Sequence, residues 1–261
     1  MRKLFGQIFI VSIFVSSVWA QKADPDDPAN VEKGKRLLQQ TIELRGGASF
    51  LGFRTLEAQG QWTPFDQGAS TIPIPFHDFL VLPDKERTEF GKGKKKDRKI
   101  NVDVGTTGWV YDGEAETLKD QTEKQVKDFQ DSRESDLDMV LRAAVQDKNA
   151  DVRFYGRAET RPGERADVIQ IKLKTTFLLM IDPISKLPAT LSYEKAEEQG
   201  TARYEYRFHQ FVPYDGVKFP NIVDLYKNGI QISRVNYQSI KLNVDIPETL
   251  FVKPASAKAI K

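Results

Sequence analysis

Apolar and polar residues alternate along most of this chain, most clearly from Tyr204 to Tyr237. Tyr204, Tyr206 and Phe208 alternate with Glu205, Arg207 and His209, which puts aromatics on one face of a strand and charges on the other. Asp215-Gly216 and Asn228-Gly229 break the run with dipeptides that accept the positive φ of tight hairpin turns. Alternation resumes at Ile230, Ile232, Val235 and Tyr237. The pattern predicts an antiparallel meander with one wet face and one apolar face that something must cover.

The rest of the chain follows the same logic. Val31, Leu37, Leu38, Ile42 and Leu44 form a helical stripe that Asn30 can cap and Gly46-Gly47 ends. Leu56, Ala58, Gly60 and Trp62 alternate with polar residues. Ile72 to Leu82 is apolar on both parities, which predicts a strand covered on two sides, and Pro73 and Pro75 confine its start to an edge or loop. Ile100, Val102 and Val104 lead to Trp109 and Tyr111. Between Gln121 and Asp147 the period turns helical through Val126, Phe129, Leu137, Val140, Leu141 and Ala144; the polar run Asp131 to Asp136 predicts two helices or one broken helix. Strands return from Val152. The sum is an α+β fold: an antiparallel sheet of about ten or eleven strands with helices gathered on one face.

The chain's start reads differently. Arg2 and Lys3, an apolar run to Val15, and Val18-Trp19-Ala20 have the form of a secretory signal peptide cleaved after Ala20. The apolar run is shorter than the ~20 residues of a membrane span. Residues 21–29 then read as a flexible, acidic leader, and residues 30–261 as one domain. The chain has no cysteine, so disulfides and thiol chemistry are excluded, and export without cysteine fits a bacterial periplasm. With Arg2 and Lys3 set aside, the 39 basic residues become 37, equal to the 37 acidic ones. That balance argues against nucleic acid as a partner.

Catalytic patterns are sparse. His77 and His209 sit in no metal-ligand spacing, and neither GxSxG nor a phosphate-binding glycine loop is present, so no enzyme activity, metal or cofactor is expected. The basic stretch Lys92 to Lys99 reads as a solvated loop. The aromatic inventory, including Phe76, Phe79, Phe90, Trp109, Tyr111, Phe129, Phe154 and Phe177, suits either a filled core or an incompletely filled pocket, and both need the same pattern.

The order of several short pieces resembles the LolA-like family of periplasmic lipoprotein carriers, especially its divergent outer-membrane lipoprotein-sorting members. These pieces are Arg45-Gly46-Gly47, Arg54 to Gly60, Pro83-Asp84-Lys85 with Arg87 and Glu89, Gly108 to Gly113, Asp182-Pro183 with Leu187-Pro188, Asp215 to Pro220, and Leu250 to Pro254. The resemblance spans nearly the whole chain after the signal peptide. It implies a strongly curved, open half-barrel with helices over its concave face and a cavity for acyl chains of lipoproteins or other lipids. It also implies transport components at the inner and outer membranes as partners. On this basis Phe79, Val81, Trp109, Tyr111, Phe129, Leu141 and Phe177 are expected to line the cavity, taking their parities to face inward. In the family's carriers a basic residue directly precedes the proline matched by Pro83; here that position is Leu82. The alternative is a periplasmic sensor or scaffold of the same fold, with a filled core and a protein partner.

Overall fold

The computed structural model describes residues 21–24, 27–161 and 164–260. The expected signal peptide, Met1–Ala20, lies outside the described residues. The elements run β1 (Gln21–Lys22), α1 (Pro28–Arg45), α2 (Ala48–Gly52), β2 (Thr55–Asp66), β3 (Ala69–Ser70), β4 (Ile74–Val81), β5 (Lys85–Phe90), β6 (Lys99–Val104), β7 (Thr107–Asp112) and β8 (Thr117–Asp120). They continue with α3 (Glu123–Ser135), α4 (Leu137–Gln146), β9 (Asp151–Arg161), β10 (Glu164–Lys172), β11 (Thr176–Ile181), β12 (Pro188–Glu197), β13 (Gly200–Tyr214), β14 (Val217–Lys227) and β15 (Ile230–Leu242).

The strands form one open antiparallel sheet in the order β1-β9-β10-β11-β12-β13-β14-β15-β2-β4-β5-β6-β7-β8, with β3 paired to β2 alone. Two meanders, β9–β15 and β2–β8, meet where β15 pairs with β2. A bulge between Tyr237 and Ser239 marks this seam, next to Gly60. A Cβ on Gly60 would stand 2.3 Å from the Asn236 carbonyl oxygen and 2.8 Å from the Phe76 ring, so the curvature here depends on glycine. The α+β fold class is as expected, with more strands. The shortest of them, β1, β3 and β8, are two to four residues long and carry no apolar alternation to reveal them.

Gln21–Lys22, expected in a flexible leader, instead extend the sheet along β9, and Ala23 N donates to the Tyr155 carbonyl at 2.8 Å. Helix α1 starts three residues earlier than expected. Its cap is Asp27, whose carboxylate accepts from Ala29 N at 2.9 Å, with Pro28 in the first turn. The region from Gln121 to Asp147 resolves into two helices. Asp136 ends α3 and caps α4 by accepting from Asp138 N and Met139 N.

Two apolar cores lie on opposite faces of the sheet. The main core joins Leu37, Leu38 and Ile42 of α1, Phe50 of α2, and Leu137, Val140 and Leu141 of α4 to the sheet face carrying Leu56, Ala58, Leu80, Phe208 and Ile240. This is the concave, helix-covered face. The second core gathers Ile100, Val102, Trp109 and Tyr111 on the other face, beneath Phe251 and Ile260 of the C-terminal segment.

Candidate functional site

Strand register decides which side chains face the helices. Leu56 pairs with Leu80, Ala58 with Asp78 and Gly60 with Phe76, so Phe76, Asp78 and Leu80 share the concave face with the small residues of β2. Leu80 in turn pairs with Glu86, and Asp78 with Thr88. The roof comes from α3 and α4. Between roof and sheet lies a cavity of about 470 Å³. Its apolar lining includes Leu56, Leu80, Phe208, Val223, Val235 and Ile240, with Phe53 and Phe219 towards one end. Trp62 and Phe90, 5.8 Å apart, stand towards the other.

One wall is polar: Asp78, Glu86, Thr88, Ser132, Arg133, Asp136 and Asp138 all line the cavity. Asp138 pairs with Arg45, a fully buried guanidinium whose Nε also donates to the Lys218 carbonyl at 3.0 Å. Thr88 Oγ1 donates to Asp78 at 2.9 Å. Burial raises the Asp78 pKa to about 6. Burial, with the charge of Asp78 next to it, raises Glu86 to about 8. Burial works against the charge of Arg133, but the carboxylates of Asp136, Glu86, Asp138 and Asp78 outweigh it and hold its pKa above the ordinary arginine value.

The roof helices are held differently. Arg142 of α4 donates to the carbonyls of Phe50, Leu51 and Phe53 and stacks over the Phe53 ring at 4.2 Å, which ties α4 to α2. Helix α3 buries fully only Ser135. Its ties run through Lys195–Asp131 at 2.8 Å, Lys174–Glu134 at 2.8 Å, and Gln130 Nε2 donating to the Gly105 carbonyl at 3.1 Å.

None of the seven residues expected in the cavity lines it. Phe79 and Val81 alternate with Asp78 and Leu80 and so face the opposite side, where Phe79 stacks on His77 at 4.2 Å and Val81 packs on the second core. Trp109 and Tyr111 belong to that core, and Trp109 Nε1 donates to the Phe251 carbonyl at 2.9 Å. Phe129 is half-buried on α3. Leu141 is fully buried in the main core. Phe177 packs against Tyr193 at 5.5 Å and lines a separate pocket of about 300 Å³ beside Leu173 and Met139. The expected inward parity of β4 is one residue out of step with the structure, because Ile72 to Leu82 is apolar on both parities. The telling residue is Asp78, an acid between Phe76 and Leu80. Leu82, at the family's basic position, also lines the cavity. Arg87 lies on the far face, donating to the Leu250 carbonyl.

His77 pairs with Glu57 at 2.9 Å and His209 with Asp224 at 3.5 Å. Among the described residues no group of three or more His, Asp or Glu is arranged to hold a metal ion. No described helix is long and apolar enough to cross a membrane.

The carboxylate wall gives a direct stability test. The folded protein holds the Glu86 proton up to about pH 8, whereas an ordinary glutamate releases it near 4.5. Stability therefore falls as pH rises through that window and levels off above it. Glu86→Gln is expected to match the wild type near pH 4 and to exceed it by ~2 kcal/mol above about pH 8, allowing for screening by water in the cavity. Urea unfolding at the two pH values measures this; a gap that does not change with pH would refute it.

No family model matches this chain. No curated protein matches it either. Solved structures do. A DUF1329 family protein from Desulfovibrio piger aligns over 88% of this chain and 98% of its own, at 10% identity and a TM-score of 0.56. A LolA superfamily protein from Nitrosomonas europaea aligns over 84% of this chain and 97% of its own, at 12% identity and a TM-score of 0.53. A domain named for outer membrane lipoprotein sorting, from Vibrio parahaemolyticus, aligns over 86% of this chain and 98% of its own, at 12% identity and a TM-score of 0.52. These likenesses establish the fold, a LolA-like half-barrel.

Proposed function

We propose that this protein is a periplasmic, non-enzymatic carrier that holds the aliphatic chain of a lipid or lipoprotein in the concave cavity. The observation that carries the reading is the cavity itself: about 470 Å³ between sheet and helices, with Leu56, Leu80, Val223, Val235 and Ile240 in its lining. That size suits one small amphiphile. Each CH₂ taken out of water contributes ~0.8 kcal/mol, so a chain seated there is held by burial alone. The fold's likeness to a lipoprotein-sorting domain supports the same reading. The scaffold alternative expects a filled interior, and the open cavity favours the carrier. Helix α3, tied down by ion pairs and one hydrogen bond to a turn rather than by a buried apolar stripe, is the roof element suited to opening.

Val235→Trp tests the reading. Val235 is half-buried on the cavity lining, and an indole there would occupy ligand space without removing core contacts. Protein purified from a periplasmic fraction is expected to yield acyl lipid or lipopeptide in its organic extract, and the folded Val235→Trp variant is expected to yield about a tenth as much or less. Equal recovery from both proteins would count against the cavity as the binding site.

A further inference from the structure

The polar wall is arranged in an unusual way for a cavity that holds only hydrocarbon. Asp138 is paired with Arg45, and Asp136 is occupied in capping α4. Asp78 and Glu86 remain. Neither stands within ion-pair distance of a cationic side chain among the described residues, and Asp78 has only the Thr88 hydroxyl as a side-chain hydrogen-bond partner. On the roof side of that wall, Nε and Nη2 of Arg133 are buried and donate to no protein atom. Two acids and a guanidinium thus line one cavity without closing on one another. Polar groups withdrawn from water and left in this state are costly, and the cost is offset when a third group bridges them.

Resting on the carrier reading, we infer that the cavity's occupant is a single-chain amphiphile whose head carries a protonated amine beside an anionic acceptor. The amine meets Asp78 and Glu86, the acceptor takes the free N–H groups of Arg133, and the chain lies along Leu80, Val223 and Val235. A carboxylate head alone would place its charge against two acids. A head with no ammonium N–H would leave Asp78 and Glu86 without a charged donor, with only the Thr88 hydroxyl beside them. Charge-assisted bonds to desolvated groups discriminate strongly between such heads.

The surroundings also determine the pH response. Facing the pair are Asp103 from β6, Tyr237 from β15, Arg133 and Asp136 from the helix junction, and Asp138 from α4 backed by Arg45. Asp103 is itself raised to about 6 by burial. The amine binds best when Asp78 and Glu86 are ionised, so its affinity rises with pH between about 6 and 8.

The test uses the full chain after the signal peptide and a fluorescent alkyl probe displaced by four single-chain competitors of equal chain length: lysophosphatidylethanolamine, lysophosphatidylcholine, lysophosphatidylglycerol and the free fatty acid. The ethanolamine lipid is expected to displace the probe about tenfold more tightly than the glycerol lipid near pH 8, and by a smaller margin near pH 6. The choline lipid, a cation without N–H donors, is expected between them. In Asp78→Asn/Glu86→Gln the preference is expected to vanish while chain binding persists. Arg133→Gln is expected to weaken all three phosphate-bearing heads against an alkylamine of the same length. Equal affinities for all heads in the wild type, or tighter binding of the glycerol lipid or fatty acid, would overturn the inference and leave the carrier reading standing. If none of the four displaces the probe, the carrier reading falls and the inference with it.

Discussion

Arg45→Ala is expected to destabilise the protein by about 4 kcal/mol, because removing one partner of a buried ion pair strands the other. Among the described residues Arg45 is one of the largest fully buried side chains. Its guanidinium pairs with Asp138 of α4, donates to the Lys218 carbonyl of β14, and lies 4.5 Å over the Phe50 ring and 5.4 Å from Phe219. It thus joins α1, α2, α4 and the sheet at one end of the cavity. Alanine would remove these contacts together and leave the Asp138 carboxylate facing the cavity without its cation. In a domain of this size the loss corresponds to a fall in melting temperature of about 10 °C. The double variant Arg45→Met/Asp138→Leu is expected to recover most of it, since apolar replacements of similar volume dispense with the charge altogether. A single variant that melts with the wild type would show that the pair contributes little.

Gly34→Val is the second large effect, expected at about 3 kcal/mol of lost stability. Gly34 sits mid-helix in α1, where glycine is otherwise unfavourable by ~1 kcal/mol. Its presence is explained by β9: a Cβ there would stand 2.5 Å from the Arg153 carbonyl carbon and 2.6 Å from the Phe154 nitrogen. Both are backbone atoms, so the helix itself would have to lift, and with it Leu37, Leu38 and Ile42 from the main core. Gly52 provides the contrast. It ends α2 with nothing within 4 Å of its would-be Cβ, and Gly52→Ala is expected to be neutral or mildly stabilising. Chemical denaturation of both variants measures this. A Gly34→Val protein as stable as Gly52→Ala would mean that α1 does not press on β9 as described.

Much of the fold was legible in the chain. Period-two alternation identified the long strands, the Gly46-Gly47 stop ended α1, and the polar run before Leu137 marked the break between α3 and α4. The short strands β1, β3 and β8 were not legible, since two to four residues show no period. The cavity was legible as an apolar surplus but not as a place. Strand β4 buries both faces, one under α4 and one beside the C-terminal segment that covers Trp109 and Tyr111. Where both parities are apolar, alternation loses its sign, and the sequence has no local cue to which face the helices take. The paired neighbours carry that cue: Ala58 on β2, fully buried in the main core, lies opposite Asp78, and Gly60, which has no room for a Cβ, lies opposite Phe76. The polar wall was out of reach for another reason. Asp78, Glu86 and Arg133 come from three elements, and only register and helix placement bring them to one cavity.

The most direct measurement is photocrosslinking with a long-chain fatty amphiphile that carries a diazirine on its chain, followed by peptide mapping. Crosslinks are expected on the concave face of β4, β14 and β15, at Phe76, Leu80, Val223 and Val235, and are expected to be lost in Val235→Trp. Crosslinks that fall instead on Trp109, Tyr111 or the Lys92–Lys99 loop, or that persist unchanged in Val235→Trp, would contradict a chain held in the concave cavity.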